Sequence, residues 1–72
     1  MTNPIDFALR GEHITLEALL KASGLAAGGD AKAQIAAGAV HVNGAPDLRR
    51  GRKLRAGDVV EFAGQRVQVQ GG

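Results

Sequence analysis

Arg49, Arg50, Arg52, Lys53 and Arg55 fall within seven consecutive positions and supply five of the chain's nine lysines and arginines. Four of the five are arginine, whose planar fork of donors matches a phosphate, where lysine offers only a point charge. The chemistry open to such a run is the binding of a polyanion. No acid lies between these cations, so they are expected to repel one another until a partner neutralises them. The wider charge distribution agrees: residues 28–55 hold six cations against Asp30 and Asp47, a balance of +4, while the remainder sums to −2. One basic face on a small chain is the electrostatic footprint of a protein with a polyanionic partner. The plainer reading of the same residues is a loop charged only for solubility.

Two further residues flank the run as candidate contacts. Lys32 falls near the start of a helix, and His41 on the outward side of a strand beside the loop. His13 stands alone. Two distant histidines without cysteines or clustered carboxylates make no metal site, and no cofactor is expected. Ser23 has no base in a recognisable relation to it, and no glycine-rich strand-to-helix phosphate loop is present. The chain reads as a binder and not as an enzyme. Phe7 and Phe62, the only aromatics, lie in alternating strand patterns and are assigned to the core. Single-strand binders stack bases on exposed aromatics, so a structured RNA, recognised by shape and backbone, fits this composition better.

The elements that must position these residues follow from periodicity. Ile5, Phe7 and Leu9 alternate with Asp6 and Ala8, as in a half-buried strand. Thr15 can cap a first helix over about residues 15–23, with Leu16, Leu19 and Leu20 on one stripe and Gly24 as its stop. Leu25 to Gly29 reads as a connector. Asp30 is expected to cap a second, alanine-rich helix that buries Ala31 and Ile35 and ends at Gly38. Val40 and Val42 then point to one face of a strand, and Asn43-Gly44 favours a type I′ hairpin turn. Pro46 restricts the returning strand to an edge. Leu54 is expected to pin the basic loop to the core, and Val60, Phe62, Val67 and Val69 to line two last strands. The fold class is therefore α+β: two short helices packed on a small, mostly antiparallel sheet.

Composition sets the outer bounds. Seventy-two residues are expected to form one domain, burying only roughly 60% of the surface an unfolded chain exposes. The absence of cysteine is compatible with the cytoplasm. No apolar run approaches a membrane span, and the N-terminus lacks a basic-then-apolar signal pattern. Met1 to Pro4 is expected to be loose.

Asp30-Ala31-Lys32, Ile35, Gly38, Val40, Val42, Asn43-Gly44, Arg50-Gly51-Arg52-Lys53-Leu54-Arg55 and Gly57-Asp58-Val59-Val60, in this order and spacing, resemble the S-four-type RNA-binding domain named for a small-subunit ribosomal protein. The chain is most similar to its compact stand-alone bacterial branch, the YbcJ-like proteins, over about residues 15–69. The resemblance implies the alpha-L arrangement of helices and strands and a monomer that grips structured RNA of ribosomal or transfer type. It implies an RNA-binding face made by Lys32, His41, Arg49, Arg50, Arg52, Lys53 and Arg55. Thr15, Gly28 and Ala33 stand where many members carry cations, so the helical share of that face is reduced here.

Two other readings come from the same chain. Gly71-Gly72 resembles the terminus of ubiquitin-like sulfur carriers, whose β-grasp fold places the Val-Asn-Gly strand before the main helix; here that strand follows both helices. The basic face is also compatible with a protein-interaction module that meets an acidic partner.

Overall fold

The computed structural model describes residues 5–71. Met1 to Pro4 and Gly72 lie outside that range, and with them the expectation of a loose N-terminus and the second glycine of the tail. The elements run β1 (Ile5–Ala8), β2 (Ile14–Thr15), α1 (Leu16–Ala22), α2 (Gly28–Ala36), β3 (His41–Val42), β4 (Ala45–Pro46), β5 (Lys53–Leu54), β6 (Val59–Phe62) and β7 (Gln65–Gln70). Five strands form one sheet in the order β1-β7-β6-β3-β4, antiparallel except for the parallel pairing of β1 with β7. The α+β expectation holds. No helix lies between Val42 and Val60, which removes the topology that a β-grasp carrier requires.

The core forms where two periodicities meet. Leu16, Leu19 and Leu20 of α1 and Ala31 and Ile35 of α2 are fully buried, against Val42, Val60, Val67 and Val69 on one face of the sheet. Thr15 caps α1 as expected, its Oγ1 accepting from the Ala18 amide at 3.3 Å. Gly24 and Gly38 both adopt φ of +78° just past the helix ends, the conformation that lets an L-chain stop a helix without a Cβ clash. Asn43 (φ 52°) and Gly44 (φ 87°) make the expected hairpin turn, and Pro46 lies on β4, the sheet's edge. Phe7 and Phe62 pack on the core's margin and are only half-buried.

Two expectations are corrected. Asp30 does not cap α2: the helix begins at Gly28, with Ala27 in extended conformation (ψ 164°) at the cap position and no side-chain cap bond. A capping residue must have non-helical backbone, and Asp30 is already inside the helix. Its charge still lies in the first turn, where the helix dipole favours it. The second correction is a small sheet that periodicity did not reveal. β2 pairs antiparallel with β5, Ile14 opposite Leu54 and Thr15 opposite Lys53. Leu54 is fully buried, so the loop is pinned as expected, and the backbone on either side of the pin is hydrogen-bonded too.

Candidate nucleic-acid interface

The basic loop is built into the start of α1. The first amides of a helix have no partner within it, and here the loop supplies two: the Leu16 amide donates to the Arg52 carbonyl at 2.9 Å and the Glu17 amide to the Arg50 carbonyl at 3.1 Å. With Thr15 capping Ala18, the helix start, the β2–β5 ladder and the buried Leu54 hold the loop backbone in one conformation.

The expectation that these cations lack a counter-charge is overturned. Asp47, just upstream, is the one buried charged residue among those described, with 7% of its side chain exposed. Its Oδ1 accepts from the Arg49 backbone N–H at 3.0 Å and from Arg49 Nε at 3.1 Å. Its Oδ2 accepts from Arg49 Nη2 at 2.9 Å and from Arg52 Nη1 at 2.8 Å. Hydrogen bonds from Arg49 hold the Asp47 carboxyl far below the usual carboxylate range, outweighing the opposing effect of burial. The acid was absent from the seven-residue run because it lies two positions before it, folded back by an Asx-type turn.

Glu17 faces a second group of cations. It pairs with Lys21 at 3.1 Å, one turn on along α1, and lies 4.0 Å from Arg50. Its carboxyl is lowered, first by the hydrogen bond from Lys21 and also by the charges of Arg50 and of Lys32 on α2. Lys21 thus joins the basic surface; its i, i+4 spacing from Glu17 was the sequence signal. Asp58 secures the loop's far end, accepting from the Arg55 amide at 2.8 Å and from Asn43 Nδ2 at 3.1 Å.

The sequence-derived candidates therefore do not form a single cluster. Arg49, Arg52 and Lys53 line one shallow depression beside Gly51. Arg50 and Lys21 both approach Glu17, and the charge of Lys32 on α2 acts on the same carboxyl. Lys53 and Arg55 are exposed and make no salt bridge among the described residues. His41 stands apart from the loop, on the sheet face turned away from the core, in register with Glu61, which Arg66 pairs at 3.6 Å. Among the described residues no group of acids and histidines could hold a metal, and no helix is long and apolar enough to cross a membrane.

A model of the S4 domain matches residues 7–70, nearly the whole described fold. The chain belongs to the S4 domain family. Among S4 domain relatives, it is 49% identical over 65 residues to the Bacillus subtilis (strain 168) protein named "Probable ribosome maturation protein RlbA", covering 89% of each chain. It is 47% identical over 58 residues to "Putative RNA-binding protein YbcJ" of Escherichia coli (strain K12), covering 79% of this chain and 83% of that one. The solution structure of YbcJ from E. coli, described as revealing an alfaL motif involved in RNA binding, superposes with a TM-score of 0.72 at 43% identity. That match covers 97% of this chain and 91% of the other. The match shows that this S4 domain shares the fold of the YbcJ chain.

Proposed function

We propose that this S4 domain is a non-enzymatic RNA-binding module of the cytoplasm. It acts as a monomer and grips structured RNA through the loop of residues 49–55 and the adjoining surface of α1 and α2. The observation that carries the reading is the mounting of the loop. Five cations stand on a backbone tied to a helix start, so the basic surface is rigid rather than a tethered tail. A rigid charged surface suits a folded RNA, whose phosphates are themselves held in a fixed pattern. Lys53 and Arg55 supply the free charge, Arg49 and Arg52 the oriented forks, Arg50, Lys32 and Lys21 the flank around Glu17, and His41 a contact at the margin. The names of the relatives favour ribosomal RNA, with transfer RNA as the second structured class.

Binding to an RNA stem-loop, followed by fluorescence anisotropy at several salt concentrations, tests this. If about four phosphates are neutralised, log affinity falls against log salt with a slope of roughly −3 to −3.5. Replacing Arg50, Lys53 and Arg55 together with Ala flattens the slope by about 2 to 3 units and leaves the fold intact. An unchanged slope in the triple variant would reduce the loop to a solvated turn.

A further inference from the structure

A carboxylate inside a phosphate-binding surface is a liability, since it cancels a cation and repels the ligand. A solvated acid could turn away. Asp47 cannot: it is buried against the loop, its backbone N–H donates to the Val40 carbonyl at 3.1 Å, and its two oxygens accept four hydrogen bonds from Arg49 and Arg52. These contacts use only part of each guanidinium, which carries five donors in a fixed fork. The rest of Arg49 faces solvent, with 69% of its side chain exposed; Arg52 is 30% exposed.

We propose that Asp47 is a positioning residue of the RNA site, holding the Arg49 and Arg52 guanidiniums side by side so that their free edges meet neighbouring phosphates of a folded RNA. The inference rests on the RNA-binding reading above. Its physical content is preorganisation. Two long side chains that would otherwise lose rotamer freedom on binding have already lost it in the free protein. The Arg52 carbonyl caps α1, so the same residue joins the oriented fork to the rigid backbone.

The alternative is that Asp47 only neutralises surplus charge, and the two accounts predict opposite signs. Asp47→Asn removes one negative charge and so raises the net charge of the full chain by one. If Asp47 merely neutralises, the variant binds an RNA stem-loop more tightly and with a steeper salt slope. If Asp47 positions, it binds roughly five- to tenfold more weakly, the cost of fixing two long side chains anew, and the slope does not steepen. Tighter or unchanged binding overturns the proposal. A second variant, Arg49→Lys with Arg52→Lys, keeps every charge but loses both forks; it covers the case in which Asp47→Asn melts too low to assay. A loss of similar size is expected there, and full retention of affinity overturns the proposal as well. The wild-type titration separates the two levels. If the wild type does not bind the stem-loop, the RNA reading falls and takes this inference with it; if the wild type binds and the variants fail to lose affinity, only the positioning role falls.

Discussion

Asp47 and Glu17 serve one basic surface under different physical conditions. Asp47 is 7% exposed and contacts two arginines at 2.9 and 2.8 Å, one of them through both guanidinium and backbone. Glu17 keeps 26% of its side chain in solvent, meets Lys21 at 3.1 Å and reaches Arg50 only at 4.0 Å. Water and salt screen the second group strongly and the first weakly. The buried acid therefore acts through geometry, and the half-exposed acid through net charge. A carboxylate's burial, more than its distance in sequence, decides whether it shapes a site or only dilutes it.

Stability separates the two most widely. Asp47→Ala leaves the loop without four hydrogen bonds and is expected to cost about 1–3 kcal/mol, read as a fall in the urea midpoint at unchanged m-value. Glu17→Ala is expected to move the midpoint far less, because an exposed helix pair contributes little. Equal shifts would erase the distinction.

Acid titration sharpens it. The Asp47 carboxyl is lowered on folding, so its contribution to stability is fully present above the unfolded value of about 3.9. It is lost as pH falls from there through the depressed folded value, where the unfolded state binds the proton first. Thermal melts at successively lower pH should show this loss in the wild type. The Asp47→Asn protein, already lacking the contribution, should show a shallower decline. Parallel declines would mean that other carboxyls, Asp58 among them, dominate the acid limb.

The smallest effect has the opposite sign. Glu17→Gln removes the acid among Lys21, Lys32 and Arg50 without touching the loop backbone. RNA affinity is expected to rise by about twofold at low salt and return to the wild-type value at high salt, as a screened surface charge requires. Weaker binding would show that Glu17 also positions its cations, making the two acids alike.

Much of the fold was legible because it rests on local rules. The Leu16-Leu19-Leu20 stripe, the Thr15 cap, the stops at Gly24 and Gly38 and the Asn43-Gly44 turn each follow from the conformations open to a few neighbouring residues. The cap of the second helix was misplaced by three residues because Asp30 is a strong capping type, while the actual cap, Ala27 before two glycines, carries no capping signal. The basic run was visible, but its counter-charges were not.

The sequence by itself determined the order of the two helices and of the strands of the larger sheet, the apolar faces and the concentration of cations in residues 49–55, since each is a property of composition and spacing along the chain. The tertiary structure alone decided how those cations are held. The pairing of β2 with β5, the capping of α1 by the Arg50 and Arg52 carbonyls, and the approach of Glu17 to Arg50 join residues more than thirty positions apart. The burial of Asp47 is likewise a property of the packed fold. Such contacts follow from the common core that fixes where the helix start and the loop lie, and no short-range periodicity encodes that distance.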